Sequence, residues 1–188
     1  MRRARMPETE WLVTAEEFER FPENPHYRYE LVEGRLIRMS PVSFEHGRIV
    51  LQLGSLLHSH LQRHGGGIVA SDVGFKLKSN PDTVRGPDVA FLRSDRIPSP
   101  AAAGFVTGAP DAAFEVLSPD DRPSDVRNKI DDYLERGVSL VVVIDPRKKS
   151  VALFRPALPS ATLHNEHEVL DLSDVIPGFR CTLREIFE

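Results

Sequence analysis

Apolar residues along this chain change their spacing several times, and each change marks an element. Thr14-Ala15-Glu16-Glu17-Phe18-Glu19-Arg20-Phe21 reads as a short capped helix ended by Pro22. Over residues 27–39 the period is two: Tyr27, Tyr29 and Leu31 alternate with Arg28 and Glu30, and after Glu33-Gly34 the run Leu36-Ile37-Arg38-Met39 predicts the second arm of a hairpin. Ser43 caps the next helix, in which Ile49, Leu53, Leu56, Leu57, His60 and Leu61 recur at helical spacing until Gly65-Gly66-Gly67 stops them. Ile68-Val69-Ala70 and Val73-Gly74-Phe75-Lys76-Leu77 predict a strand pair or one kinked strand, and Val89-Ala90-Phe91-Leu92 a buried strand. Residues 97–110, rich in Pro, Ala and Gly, predict a loop, read as a connector in preference to a mobile flap. Phe114-Glu115-Val116-Leu117 is a further apolar strand, followed by a helix over 124–136 that Gly137 ends. Leu140-Val141-Val142-Val143-Ile144 is a buried strand stopped at Asp145-Pro146, and 151–154 with 167–172 read as hairpin-like strands. Residues 1–10 lack periodicity and are expected to be frayed.

The strand-helix-strand unit over 111–144, set among mixed strands, implies an α/β sandwich around a central sheet. With 188 residues and 40% hydrophobic content the chain can bury a core, and its length favours a single domain over 1–188. The longest apolar stretch, 138–144, is far short of a membrane span, and Met1-Arg2-Arg3-Ala4-Arg5 is not followed by a signal-peptide apolar region. The expected location is the cytoplasm, with no membrane contact. A lone Cys181 excludes an intrachain disulfide and a thiolate metal site, and reads as a small core hydrophobe. The net charge of −4 excludes a protein that coats nucleic acid by bulk electrostatics, so any such contact must be local. Arg2, Arg3 and Arg5, and Arg35, Arg38 and Arg48, read as solvated faces.

Two carboxylates do not fit the strands that carry them. Glu115 interrupts an apolar strand, and burying an unpaired charge is costly. Asp88 follows Gly86-Pro87 and opens the strand that begins at Val89. Side by side at about 4 Å the two would repel by roughly 4 kcal/mol at an effective dielectric of 20. A divalent cation answers that repulsion, and oxygen ligands suit Mg²⁺ or Mn²⁺ better than zinc. Asp111, four residues before Glu115 on one strand, would be roughly 13 Å away and cannot share a small ion with it. The competing readings are a loop-capping Asp88, and a Glu115 that pairs with an Arg in the core or faces solvent. Hydrolysis also needs a cation near the reacting phosphate. Lys129 is the candidate, because it sits about 40° from Tyr133 on the edge of the buried stripe Val126, Ile130, Tyr133 and Leu134. Its alternative is an exposed i,i+4 pair with Asp125.

Pro87-Asp88, Glu115-Val116-Leu117 and a helical Lys129 together resemble the Uma-type endonucleases of the PD-(D/E)XK superfamily. The resemblance spans about residues 27–155 and includes Tyr29-Glu30-Leu31-Val32-Glu33-Gly34, Ser43-Phe44-Glu45-His46-Gly47 and Val142-Val143-Ile144-Asp145-Pro146. It implies a restriction-endonuclease-like α/β fold, with a mixed central sheet flanked by helices and additional N- and C-terminal hairpins. It also implies Mg²⁺-dependent phosphodiester hydrolysis with Asp88 and Glu115 as metal ligands. The superfamily pattern places Lys two residues after the Glu; here that position is Leu117, and Lys129 would replace it from the helix. Glu30 matches the family's early acidic position, where it adds a metal ligand through water or is an edge-strand charge. His46 contacts phosphate or tunes a water, or else is a surface or cap histidine. Asp120, Asp121 and Asp125 read as loop and helix-start charges.

The leading expectation is an endonuclease using Mg²⁺ or Mn²⁺ on nucleic acid, with DNA as the substrate that the resemblance implies, assembled as a homodimer as members of the family tend to be. Two others stand beside it. One is a non-catalytic dimeric binding module with a vestigial metal site, and the other a metal-dependent hydrolase of smaller phosphoesters. An ammonium of Lys129 close to the carboxylates would discriminate in favour of catalysis.

Overall fold

The computed structural model describes residues 11–22, 27–39, 41–99 and 104–188, and local chemistry sets most of its element boundaries. Thr14 and Glu17 close a capping box on α1 (Ala15–Glu19). β1 (Tyr29–Val32) and β2 (Arg35–Arg38) pair antiparallel with Val32 opposite Arg35, which leaves a two-residue turn. Glu33 and Gly34 both take positive φ there, 50° and 75°, as a type I′ hairpin requires. Ser43 caps α2 (Phe44–His64), whose buried stripe is His46, Ile49, Leu53, Leu57 and Leu61. β3 (Gly67–Ser71) follows, and a Cβ on Gly67 would lie 2.2 Å from the Leu92 carbonyl, so only glycine allows that approach. Next come β4 (Phe75–Lys78), β5 (Thr83–Arg85), β6 (Val89–Arg93), β7 (Val106–Thr107) and β8 (Ala112–Val116). Pro123 starts α3 (Pro123–Glu135) at a position where its missing N–H costs nothing. β9 (Leu140–Asp145), β10 (Ser150–Phe154), β11 (Ala161–Leu163), β12 (Val169–Asp171), β13 (Arg180–Thr182) and α4 (Leu183–Phe187) complete the chain.

A six-stranded sheet in the order β11-β10-β9-β8-β6-β3 forms the centre. Its one parallel pair, β8 with β9, is joined by α3, the crossover that parallel neighbours need. On one face, the stripe of α2 packs against Phe91, Phe114, Val142 and Ile144, together with Leu170, Leu172 and Ile186 from the C-terminal segment. On the other face, Ile130 and Tyr133 of α3 and Phe75 of β4 cover Ala90, Ala113 and Val141. Each fully buried aliphatic side chain of such a stripe contributes about 1.5–3 kcal/mol, far more than an exposed pair such as Arg184 with Glu188.

Three pairings depart from the pattern reading. The segments at 68–70 and 73–77 are neither a strand pair nor one kinked strand. β3 joins the central sheet beside β6, whereas β4 belongs to a second, five-stranded sheet in the order β2-β1-β5-β4-β7. The expected N-terminal hairpin is therefore the edge of a larger sheet. At the C-terminal end β10 pairs with β11, and the strand expected at 167–172 pairs instead with β13, because Leu170 and Cys181 face each other over the α2 side of the core. The expected loop over 97–110 contains β7, which pairs parallel with β4. Residues 1–10, expected to be frayed and including Arg2, Arg3 and Arg5, lie outside the described residues. No helix of the described residues is long and apolar enough to cross a membrane.

Candidate active site

Antiparallel pairing sets Asp88 and Glu115 opposite one another. β6 and β8 pair Val89 with Phe114, Ala90 with Ala113 and Phe91 with Ala112, so one step further in that register Asp88 faces Glu115. Residues so placed hold their Cβ atoms about 4.5–5.5 Å apart on one face of the sheet. Asp88 Oδ2 accepts from the Val116 N–H at 2.7 Å, extending the ladder by one bond. The same oxygen lies 3.2 Å from His46 Nε2. His46 occupies the first turn of α2, its own N–H donating to Ser43 Oγ, and it is 5% exposed. It is thus a buried partner of Asp88, not a surface histidine. Burial works against its charge, but the hydrogen bond and charge of Asp88 outweigh burial and raise its pKa.

α3 brings the remaining groups to Glu115. Lys129 Nζ lies 3.0 Å from Glu115 Oε2 and 3.2 Å from Glu30 Oε1, and Tyr133, one turn on, donates its hydroxyl to Glu115 Oε1 at 2.8 Å. Lys129 therefore turns inward to two carboxylates, and neither of its ion pairs is with Asp125. Tyr133 had been legible only as a member of the buried stripe. A buried tyrosine hydroxyl requires a partner, and that was the signal pointing from it to the carboxylate. Leu117, where the superfamily pattern has Lys, packs half-buried in the α3 layer.

Glu30 is held from another direction. Arg85 Nη1 donates to Glu30 Oε2 at 2.7 Å, and the Gly86 N–H to Oε1 at 3.1 Å. Arg85 also grips Asp132 through Nε at 2.8 Å and Nη2 at 2.6 Å. The arrangement of a core acid paired with arginine thus belongs to Glu30, not Glu115. Arg85, 5% exposed, carries no sequence pattern that singles it out. Replacing it with Ala takes from Glu30 the partner of its Oε2 and from Asp132 its guanidinium, and breaking a buried pair in this way costs about 3 kcal/mol. Urea denaturation of Arg85→Ala should show that loss, while Arg184→Ala, at an exposed pair, should unfold as the wild type does.

The buried Glu115 faces two other carboxylates as well as Lys129. Burial, followed by the charges of Asp88 and Glu30, pushes its pKa up to about 7 in spite of Lys129. Burial would also raise Glu30, but Lys129 and Arg85 outweigh it and hold that carboxyl below its usual range. Lys129 is buried as well, yet Glu115 and Glu30 raise its pKa and keep it a cation. All five expected residues, Glu30, His46, Asp88, Glu115 and Lys129, line one cleft of about 400 Å³, with Arg28, Arg38 and Arg122 among its walls. Asp111 does not join them. It is buried at the far end of β8, accepting from Arg96 and the Arg93 N–H.

The donor set fits a hard divalent cation better than a caged one. Among the described residues no group of three or more His, Cys, Asp and Glu is arranged to hold a metal. Mg²⁺ rarely uses such a cage; one or two carboxylates suffice, with water and substrate phosphate supplying the rest. Asp88 and Glu115, opposite one another in register and facing Lys129 and His46, fit that requirement. Glu30 is less suited to direct ligation: besides Lys129, which it shares with Glu115, it is held by the Arg85 guanidinium and the Gly86 N–H.

The profile of the Uma2 family, described as "Putative restriction endonuclease", matches residues 15–184. A crystal structure described as "a putative nuclease belonging to DUF820", from Anabaena variabilis ATCC 29413, superposes with a TM-score of 0.83 at 22% identity, covering 93% of this chain and 97% of its own. That likeness shows the fold. A cryo-EM structure of a DrdV-DNA complex aligns with 72% of this chain and 11% of its own at a TM-score of 0.40 and 14% identity, too distant to bear on what this chain binds. No curated protein matches. With all but the ends of the described sequence inside the family profile, and a structural match that extends over 93% of the chain, this chain belongs to the Uma2 family and has the restriction-endonuclease-like fold.

Proposed function

We propose that the chain is an endonuclease that hydrolyses phosphodiester bonds of DNA with Mg²⁺ or Mn²⁺, held by Asp88 and Glu115. The observation that carries this reading is the Lys129 ammonium 3.0 Å from Glu115 on a strand position opposite Asp88. Two acids that would hold a divalent ion, with a fixed cation beside them, supply the positioning and charge on which in-line attack of water on phosphorus relies. The divalent ion, when bound, supplies Lewis acidity and offsets phosphate charge. This chain's residues do the rest. His46 and the Val116 N–H fix the Asp88 carboxylate, Tyr133 fixes Glu115, and Glu30 with Arg85 holds the Lys129 ammonium where it can steady the developing charge on the phosphate oxygens. In this arrangement Glu30 positions Lys129 directly and would reach the ion only through water.

A nicking assay on supercoiled DNA, run beside a single-stranded RNA, tests the proposal. Cleavage should appear with Mg²⁺ or Mn²⁺ and vanish with EDTA. A wild-type protein that cuts neither polymer with any divalent ion would overturn it in favour of a non-catalytic binding module. We also propose a homodimer, since cutting two strands benefits from two sites. Sedimentation at micromolar concentration should give twice the 21.1 kDa of one chain, and a species of 21.1 kDa alone would remove the idea.

A further inference from the structure

The sheet end that carries Glu115 also carries a run of cations that the proposed catalytic site does not use. β8 and β9 run parallel with Val116 beside Ile144, and the Leu117 N–H donates to the Ile144 carbonyl. The turn after β9 therefore emerges next to the segment that leaves Glu115. That turn is Pro146-Arg147-Lys148-Lys149, before Ser150 pairs back with Asp145. Its shape is set by backbone contacts: Asp145 Oδ1 accepts the N–H groups of Arg147 and Lys148 at 3.0 and 3.1 Å, and Lys149 takes a left-handed φ of 48°.

The three side chains are exposed, and their charge is largely unspent. Lys148 makes a loose pair with Asp145 at 3.5 Å; among the described residues Arg147 and Lys149 form no ion pair. Below them a groove of about 700 Å³ runs past Ser118 and Pro119 to Arg127 on α3. Leu117, Ser118, Asp121, Val126 and Ile130 line both this groove and the catalytic cleft, so the two adjoin. Acids line the groove too, but each is engaged. Glu45 takes two hydrogen bonds from Arg48, Asp121 accepts from the Ser118 N–H at 2.7 Å, and Asp145 holds the turn. On a molecule with a net charge of −4, a local cationic lip beside the cleft is the kind of contact that a polyanion can find.

Resting on the nuclease reading, we propose that the Arg147-Lys148-Lys149 turn, with Arg127 across the groove, is the track along which the sugar-phosphate backbone of a nucleic acid leaves the cleft. Contacts of this kind position the polymer without reading its sequence. They are made by phosphates common to DNA and RNA.

The test uses the full chain carrying Arg147→Gln, Lys148→Gln and Lys149→Asn, the last chosen because Asn tolerates the left-handed backbone. Anisotropy of labelled duplex DNA, single-stranded DNA and single-stranded RNA is titrated without divalent ion across a series of salt concentrations, and hydrolysis of a small chromogenic phosphodiester is measured with Mn²⁺. The variant should lose salt dependence, its log-log slope becoming shallower by about 2–3 on duplex DNA and somewhat less on single strands. Its rate on the small diester should equal the wild-type rate. The polymer with the larger loss identifies the source of the backbone. A variant whose binding and slope match wild type on all three polymers overturns the track, as does a wild-type protein that binds none of them. If the wild type hydrolyses neither polymer nor small diester while the variant still loses binding, the catalytic reading fails and the track stands.

Discussion

Lys129→Ala should lower the rate of phosphodiester cleavage by about 100-fold to 1000-fold, the usual cost of removing one preorganised charge that stabilises a transition state. The structure makes this a sharp test because the lysine has only two neighbours to serve. Its ammonium bridges Glu115 and Glu30 and makes no pair with Asp125. Without it Glu115 keeps the Tyr133 hydroxyl and Glu30 keeps Arg85 and Gly86, so the framework retains its other bonds. Affinity for the divalent ion should hold or improve, since an ion held by Glu115 would no longer have the ammonium as a neighbour on that carboxylate. Asp125→Ala is the control. Asp125 is exposed at the start of α3, and its loss should leave nicking of supercoiled DNA with Mn²⁺ unchanged. Equal activity in Lys129→Ala and wild type would remove Lys129 from the mechanism. Two lysines of β4 are placed elsewhere: Lys76 is held by Glu16 and Asp82, and Lys78 by Glu33, outside the cleft.

The parts of this site that were legible in the sequence are those where one residue contradicts its surroundings. Glu115 in an apolar strand and Asp88 ahead of another stand out because strands otherwise exclude such groups. Lys129 could be aimed inward because helical geometry fixes its angle to Tyr133. Glu30 was visible only through family resemblance, because its alternation with Tyr29 and Leu31 fits an ordinary half-exposed strand. Its partner Arg85 lies 55 positions away, and nothing local couples the two. His46 was harder still. The Ser43 cap explains its backbone, but its burial depends on how α2 docks beside Asp88. The same limit governs the fold. The Glu33-Gly34 hairpin and the β8-α3-β9 crossover are local and were legible, whereas the short break Asp72-Val73-Gly74 that sends β3 and β4 into different sheets is decided by partners far along the chain. Cys181 reads from either direction as core: it is buried against Leu170, and burial pushes its thiol up to about 12.

Mn²⁺ or Mg²⁺ should raise the thermal midpoint of wild type and leave Glu115→Gln nearly unmoved. The cause is charge. Metal-free Glu115 holds its proton up to about pH 7 because burial and two neighbouring carboxylates disfavour its anion. Its contribution to stability accordingly falls as pH rises from its ordinary 4.5 to about 7, and above that the ionised group weighs on the fold. A divalent cation bound there would relieve that strain, and one that binds the folded protein alone adds about 2.7 kcal/mol at a concentration of 100 times its dissociation constant. Glutamine keeps the size of the side chain and an oxygen for Tyr133 but loses the charge, so the variant should lose more than about 100-fold in metal affinity, beyond what outer partners of a metal site usually cost. Differential scanning calorimetry at pH 8, with and without Mn²⁺, reads both effects. Glu30→Gln, run beside it, should keep most of the shift if Glu30, engaged by Arg85, Gly86 and Lys129, would meet the ion only through water as proposed. An identical shift in wild type and Glu115→Gln would place the ion elsewhere. A shift lost in Glu30→Gln as well would make Glu30 a direct ligand and Lys129 the group displaced when the ion binds.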